Sequence, residues 1–202
     1  NTPITLLDPN MSSDSVSCFN GSDGSLLAEP SGGVPPYEYD WGSYGSTQGI
    51  SDLSIGTYTV NITDAEGCPA SFSSQIVQPN ELIVDANIIS EISCYGESDG
   101  ILEANVYGGT GSYSFVWSHP SFPWVDDQEN NYTSNSAEQY LDSLPPSVLA
   151  DDIALNPDYQ SYSYPYLITV EDWNDCVSTS EIFLVEPPKL DVFLTQATHP
   201  AY

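Results

Sequence analysis

One segment of this chain occurs twice, and the repetition limits what the sequence can fold into. The segment begins with a cysteine, continues through Ser-Asp-Gly and Gly-Gly, and ends at a tyrosine and a tryptophan. Its residues recur at a constant offset of 76, as Cys18 and Cys94, residues 22–24 and 98–100, residues 32–33 and 108–109, Tyr37 and Tyr113, and Trp41 and Trp117. The chain is therefore a tandem repeat.

A second block follows the first in both copies. It occupies residues 58–68 and recurs at residues 166–176, an offset of 108. Since 108 exceeds 76 by 32, the second copy carries a 32-residue insertion between its tryptophan and its tyrosine-led strand. Two domains of one fold are therefore predicted, each within the usual size range of a domain.

The composition restricts the partners that such a chain binds. It holds 29 acidic residues against the single basic residue Lys189, which gives a formal net charge of -28. Affinity for nucleic acid and anionic lipid comes from lysine and arginine, so we expect neither partner. No apolar stretch is long enough to span a bilayer, and membrane insertion is not expected. The 40% hydrophobic content is too high for a disordered acidic tail, and we expect the chain to fold.

Four cysteines divide evenly between the copies and predict the disulfides Cys18–Cys68 and Cys94–Cys176. Closing a loop of this length stabilises a fold by about 4 kcal/mol on loop-closure entropy. Disulfides persist in oxidising compartments, so this pairing indicates an extracellular chain. Four reduced thiols are the alternative. Zinc binding is disfavoured, because the cysteines lack CxxC spacing and both histidines lie outside the repeated blocks.

Short β-branched and aromatic runs between Gly and Pro clusters predict an all-β fold of two tandem immunoglobulin-like β-sandwiches. Tyr58, Val60 and Ile62 alternate with polar residues, which predicts that they share the buried face of one strand. A tight hairpin turn is expected at residues 64–67, with Gly67 at positive φ. Predicted strands occupy residues 25–29, 37–41, 57–63, 70–77, 101–106, 113–117, 166–172 and 177–185.

The repeat pattern also predicts the domain boundaries. The first β-sandwich covers residues 1–78, the second covers residues 79–187, and its insertion lies at about 119–161. Residues 188–202 match the linker and first strand of a following repeat or partner. Both ends are expected to pack against a neighbour. The insertion contains a possible short helix over residues 136–144.

The sequence of residues 15–79 resembles the SprB-type repeat of Bacteroidetes cell-surface proteins. The resemblance is carried by Cys18, Ser-Asp-Gly, Gly-Gly, Pro-Pro-Tyr, Trp41, Gly-Thr-Tyr-Thr-Val, and Asp-Ala-Glu-Gly before Cys68. In the second copy it covers residues 94–117 and 166–187. It implies a module of a long extracellular adhesin, exported by the type IX system and associated with gliding or surface attachment. The insertion departs from the family pattern, as does the lack of a C-terminal sorting domain in this sequence.

Acids at repeated positions are the candidate Ca²⁺ ligands, because calcium binds six to eight oxygen atoms in flexible geometry. They are Asp23 with Asp99 and Asp64 with Asp172, and Glu66 and Asp175 support the second pair. The alternative is that each is a turn former, which is common for aspartate before glycine. No cofactor other than calcium is expected. The chain has no Gly-x-Ser-x-Gly elbow and no plausible base for a nucleophile, so we predict no catalytic residue and no enzyme activity.

The aromatic residues of the insertion, Trp124, Tyr132, Tyr140 and Tyr159, are candidates for stacking on carbohydrate. The alternative is packing onto the repeat or a neighbouring subunit, where aromatic residues are enriched. Ser15 and Ser143 lie in Asp-Ser-Val and Asp-Ser-Leu triplets that resemble a Bacteroidetes O-glycosylation site.

These features together predict a structural, adhesive module of an extracellular repetitive surface protein or filament, located at the cell surface. Its expected partners are neighbouring repeats or identical subunits placed end to end, and surface glycans. One alternative is a carbohydrate-binding module that uses the insertion. The other is a self-polymerising subunit in which residues 190–196 or 5–8 complete the sheet of a neighbour.

Overall fold

The computed structural model describes residues 8, 10–119, 140–144, 146–147 and 165–190. In this part of the chain every regular element is a β-strand, apart from one 3-10 turn at Gly42–Tyr44, which confirms the all-β class. The first copy forms the strands Met11–Asp14 (β1), Gly24–Ala28 (β2), Glu38–Asp40 (β3), Gly49–Leu53 (β4), Gly56–Thr63 (β5) and Pro69–Ile76 (β6). The second copy forms Asn80–Ser90 (β7), Gly100–Gly109 (β8), Ser114–Ser118 (β9), Tyr140–Leu144 (β10), Tyr166–Glu171 (β11) and Val177–Ile182 (β12).

The first copy folds into two three-stranded sheets, ordered β1-β2-β4 and β3-β5-β6. All pairings within these sheets are antiparallel. The longest, β5 with β6, runs without interruption from Gly56 opposite Ile76 to Thr63 opposite Pro69. A regular register keeps one set of side chains on the core face, since a slip of one residue would turn them all to solvent.

The core of the first copy lies between its two sheets. Leu26 and Ile50 contribute from the first sheet, and Tyr58, Val60 and Ile62 from β5 of the second. The burial of these three alternate β5 residues was predicted from the sequence and is confirmed. Side chains from both sheets meet in one cluster, which is the arrangement of a β-sandwich.

The second copy repeats this plan with sheets ordered β10-β8-β7 and β12-β11-β9. Leu102 and Ala104 of β8 are fully buried, as are Ile168 and Val170 of β11. Trp117, the counterpart of Trp41, is fully buried as well. The tandem sandwich organisation predicted from the repeat is therefore confirmed.

Strand β10 corrects the expected helix in the insertion. Residues 140–144 form a strand that pairs with β8, with Leu144 opposite Gly100. In the first copy, β4 pairs with β2 in the same way, with Leu53 opposite Gly24. The counterpart of β4 therefore lies inside the 119–161 segment, because the sheet edge gains a strand whose Leu144 is fully buried. Residues 136–139 of the predicted helix lie outside the described residues.

Grouping by spatial proximity divides the chain into two compact units. The first comprises residues 1–83, 107–112 and 172–176, and the second comprises the remainder. The sequence-based boundaries at 78 and 187 stay a prediction. Among the described residues, no helix has the length and apolar character needed to cross a bilayer.

Candidate functional site

The one disulfide of the molecule joins Cys18 to Cys176 across 158 residues of sequence, with the Cα atoms 5.7 Å apart. Its cysteines come from different copies of the repeat. Both belong to the first compact unit, because residues 172–176 group with residues 1–83. The predicted pairs Cys18–Cys68 and Cys94–Cys176 are therefore wrong. Cys68 and Cys94 are free thiols exposed to solvent.

The predicted cysteine pairs are wrong for a geometric reason. A disulfide needs Cα atoms about 4.4–6.8 Å apart, and cysteine order along the chain does not say which cysteines meet that condition. In the fold, Asn174 holds the second-copy turn beside the first-copy loop, since its side-chain Nδ2 donates to the Ser17 carbonyl at 3.1 Å. Cys18 directly follows Ser17, and Cys176 lies two residues after Asn174. The assumption of one closed disulfide per repeat missed this contact.

Two short segments carry the cysteines in each copy. Residues 17–23 and 93–99 precede β2 and β8, and we call them the cysteine loops. Residues 64–68 and 172–176 connect β5 to β6 and β11 to β12, and we call them the cysteine turns. Each loop and each turn contains one of the repeated aspartates.

The aspartates of the cysteine loops bind the start of their own loop. Asp23 Oδ1 accepts the backbone N–H of Ser17, and Asp99 Oδ1 accepts that of Ser93, both at 3.0 Å. The pKa of each carboxyl is lowered, first by the serine hydroxyl and then by this N–H. The two loops are therefore closed by the same polar contact.

The aspartates of the cysteine turns organise the hairpin backbone. Oδ1 of Asp64 accepts the N–H groups two and four residues later at 3.0 and 2.8 Å, and Oδ1 of Asp172 does the same at 2.9 and 3.1 Å. Both aspartates are buried. Gly67 has a φ of +81°, as predicted, and Asp175 takes its place in the second turn with a φ of +61°.

The repeated Gly-Gly pair delivers a further donor to these carboxylates. Oδ2 of Asp64 accepts the N–H of Val34 at 3.0 Å, and Oδ2 of Asp172 accepts that of Thr110 at 2.8 Å. A Cβ on Gly109 would lie 2.7 Å from Asp172 Oδ2, and the φ of Gly109 is +63°. Glycine is required there by close approach and by backbone conformation. The sequence reasoning missed this link, and the only signal for it was the recurrence of Gly-Gly and Asp in both copies.

These hydrogen bonds stabilise the ionised form of Asp64 and Asp172 in the folded chain. At Asp172, burial acts to raise the pKa, but the N–H groups of Thr110, Cys176 and Asn174 outweigh it and the pKa is lowered. At Asp64 the N–H of Cys68 is the largest cause of the lowered pKa, and burial opposes it. Hydrogen bonds to the charged form stabilise that form.

The substitution Asp172→Asn tests this role through pH. Because the folded pKa of Asp172 lies below its ordinary value of 3.8, the stabilisation is present above pH 3.8 and is lost as pH falls through the lowered value. We expect a lower melting temperature for the variant at pH 7 and a difference from wild type that narrows below pH 3.8, measured by circular dichroism. Glu171→Gln, at an exposed neighbouring position, is the control and should show no such narrowing. A constant difference at every pH would contradict the role.

The six candidate calcium ligands lie in the cysteine loops and the cysteine turns. Among the described residues, no cluster of three or more His, Cys, Asp or Glu side chains is placed to hold a metal ion. Asp23, Asp99, Asp64 and Asp172 accept backbone N–H groups, which is the turn-forming alternative. The remaining two candidates, Glu66 and Asp175, are exposed. Calcium binding at these six positions stays a prediction.

The structure describes some of the candidate ligand-binding and glycosylation residues. Tyr140 lies on β10 and is 53% exposed, and its pKa is raised by a side-chain hydrogen bond with Glu103 and by the charge of that residue. Ser15 and Ser143 are both exposed. The other aromatic candidates lie outside the described residues: Trp124, Tyr132 and Tyr159. Carbohydrate binding and glycosylation stay predictions.

The free thiol of Cys68 differs chemically from an ordinary cysteine. The charge of Asp64 raises its pKa, and burial, a hydrogen bond from the thiol to Asp64 and the charge of Glu66 act in the same direction. The thiolate is the reactive form of cysteine, so this thiol reacts slowly at neutral pH. Thiol–disulfide exchange at Cys68 is therefore expected to be faster at alkaline pH.

Comparisons with known proteins agree with the repeated pattern. The SprB repeat family matches residues 11–43 and 86–122. No curated protein sequence matches the chain. Among solved structures, the C-terminal 282-residue fragment of intimin, in complex with the intimin-binding domain of the translocated intimin receptor, is 10% identical with a TM-score of 0.40. The N-terminal eight Ig domains of Down syndrome cell adhesion molecule are 14% identical with a TM-score of 0.35.

Both structural likenesses cover 90% of this chain, which spans 64% of the intimin fragment and 25% of the other chain. The family match is more specific, because it falls once in each copy of the repeated segment and includes both cysteine loops. The chain therefore contains two regions that match the SprB repeat, one in each copy of the repeated segment.

Proposed function

We propose that this chain is a non-catalytic structural module of an adhesive, extracellular surface protein. Two SprB repeats support the assignment, because repeats of this kind build cell-surface adhesins. The single observation that carries the proposal is the Cys18–Cys176 disulfide. It crosslinks the two copies and belongs in an oxidising compartment outside the cytosol.

The position of the disulfide suits a module that bears tension. A force applied to the two ends of the chain passes through the crosslink, so that residues 19–175 carry no extension while it is intact. The mechanical strength of the module is then set by the disulfide, and not by the free energy of unfolding of the strands between the two cysteines. The acidic surface, with a formal net charge of -28, keeps neighbouring molecules from clumping.

Single-molecule stretching tests the load-bearing role. The oxidised chain, pulled from its ends, should release a contour length shorter than that of the reduced chain by roughly 550 Å, which is 158 residues at full extension. The double variant Cys68→Ser/Cys94→Ser should behave like the wild type, because it keeps the crosslink. Equal extension of the oxidised and reduced chains would rule out a load path through the disulfide.

Surface location has its own test. Antibodies against the folded chain should label intact cells of the organism that makes it, and external protease should remove the label. Labelling only after the cells are lysed would contradict the extracellular assignment.

Carbohydrate binding, calcium stabilisation and strand exchange each have a test of their own. If the insertion binds carbohydrate, Trp124→Ala removes glycan binding on an array and leaves the melting temperature unchanged. If calcium stabilises the repeats, EDTA lowers the melting temperature. If residues 5–8 or 190–196 complete a neighbour's sheet, deletion of either segment abolishes filaments seen by electron microscopy. In each case the opposite result removes the alternative.

A further inference from the structure

The four cysteines are of two kinds, each present once in every copy. Cys18 and Cys94 lie in the cysteine loops, and in both the carbonyl accepts an N–H from three residues later, at 3.0 and 3.2 Å. The second residue after each of these cysteines donates its backbone N–H to a side chain: Asn20 to Gln78 at 3.1 Å and Gly96 to Glu186 at 2.8 Å. The two loops therefore share one local conformation.

The cysteine turns match each other in the same way. The carbonyl of Cys68 accepts the N–H of Asp64 at 3.1 Å, and the carbonyl of Cys176 accepts that of Asp172 at 3.0 Å. In each turn the aspartate Oδ1 accepts the N–H of the cysteine. The two turn cysteines are thus held in equivalent positions on equivalent hairpins.

The observed disulfide joins one cysteine of each kind. It connects the loop of the first copy to the turn of the second. What remains is the turn cysteine of the first copy, Cys68, and the loop cysteine of the second copy, Cys94, and both are free and exposed. Together they supply one loop cysteine and one turn cysteine, which is the combination found in the observed disulfide.

We propose that Cys94 forms a disulfide with Cys68 of a second copy of this chain, which continues the loop-to-turn crosslink from one repeat pair to the next. The partner that fits the exposed cysteine loop is therefore the cysteine turn of another SprB repeat. The inference rests on the proposed structural role and names the partner that this role requires.

The bond forms by two thiol–disulfide exchanges with a small disulfide oxidant such as oxidised glutathione. The Cys94 thiolate attacks the oxidant, so that one glutathione thiolate leaves and a mixed disulfide forms. The Cys68 thiolate of the second copy then attacks the Cys94 sulfur and releases the second glutathione. Two cysteine thiols are oxidised, one glutathione disulfide is reduced, and the two cysteine protons end on the two glutathione thiols.

The cysteine turn of the first copy lacks the residue that forms one hydrogen bond beside the observed disulfide. Asn174 donates its side-chain amide to the Ser17 carbonyl, beside the crosslink. The residue at the same turn position in the first copy is Glu66, whose ionised carboxylate has no proton to donate to the matching Ser93 carbonyl. Glu66→Asn restores the donor and should favour the proposed junction.

Mixing two single-thiol variants tests the proposal. Cys68→Ser keeps the loop thiol, Cys94→Ser keeps the turn thiol, and both retain the Cys18–Cys176 crosslink. The two full-length variants are oxidised together in glutathione buffer at alkaline pH and high salt, which populates thiolates and screens repulsion between the acidic chains. We expect the Cys94–Cys68 heterodimer to exceed both homodimers by more than random pairing gives, as measured by mass spectrometry of linked peptides.

Glu66→Asn in the Cys94→Ser background should raise the heterodimer yield several-fold. Asp52→Asn in the same background removes one exposed charge on β4, in the sheet that does not carry the cysteine turn, and should not. Random pairing, homodimers in excess, or no crosslinked dimer would each overturn the proposal. None of these results bears on the stretching experiment, which depends on the crosslink within one chain, so a failure here is distinct from a failure of the load-bearing role.

Discussion

The double variant Cys18→Ser/Cys176→Ser is expected to lose about 5 kcal/mol of its free energy of unfolding. The crosslink closes a loop of 158 residues, and the loss of loop-closure entropy from the unfolded chain grows with the logarithm of that length. For a chain of this size the melting temperature should fall by roughly 10–20 °C. Urea denaturation followed by circular dichroism measures the free energy directly.

The matched control is Cys68→Ser/Cys94→Ser, which also replaces two cysteines. Since both thiols are exposed and unbonded, its stability should stay within about 0.5 kcal/mol of wild type. If the first variant does not fold, stepwise reduction of the wild-type chain gives the same comparison without a substitution. Equal stability of the two double variants, or a larger loss in the control, would show that the Cys18–Cys176 crosslink is not the stabilising one.

Trp41→Ala is expected to cost about 3–5 kcal/mol, the second-largest effect. The side chain is 3% exposed and belongs to the core between the two sheets of the first copy. Its indole Nε1 donates to the Thr47 carbonyl at 2.9 Å, so truncation leaves both a cavity and a carbonyl without its donor. The melting temperature and the urea midpoint should both fall.

Trp173→Ala is the control with the same chemical change. Trp173 is 76% exposed and lies in the second cysteine turn, where its backbone N–H bonds the Gly111 carbonyl and is retained in alanine. We expect a change within about 0.5 kcal/mol. A loss at Trp173 that equals the loss at Trp41 would mean that the core has been assigned to the wrong residues.

The strands that the sequence predicted are those with a strong local pattern. In β5, alternation between buried and exposed residues matches the two-residue period of a strand, and both Tyr58 and Ile62 are buried as expected. Two of the strands that it missed carry weaker signals: β1 contains Ser12 and Ser13, and β4 contains Asp52 at a φ of +58°. Such segments become strands because a neighbouring strand offers a free edge.

The insertion shows the same limit of local pattern. Helix-compatible residues at 140–144 form a strand, since pairing with β8 buries Leu144 completely. Tertiary packing overrides a weak local preference when the competing structure covers an apolar side chain. When the two copies are aligned by their sheets, and not by their sequences alone, this strand is the counterpart of β4.

For the candidate site, the repeated aspartates and glycines were visible in the sequence but their link was not. Asp172 and Gly109 are 63 positions apart, and only the folded backbone brings the carboxylate to the N–H that follows the glycine pair. The acid-rich composition offered two interpretations of these aspartates, calcium binding and turn formation. Four of the six candidates accept backbone N–H groups, and calcium binding at these positions stays a prediction.

The order of residues by itself determined that this chain is a duplicated, all-β, strongly acidic molecule, because offsets, alternation and charge are properties of a linear pattern. It did not determine which cysteines meet. All four were known, and the even division between copies favoured closure within each repeat. The tertiary structure decided for Cys18 and Cys176, because a disulfide depends on the distance between two Cα atoms, and that distance is set by how the loops and turns pack and not by their separation along the chain.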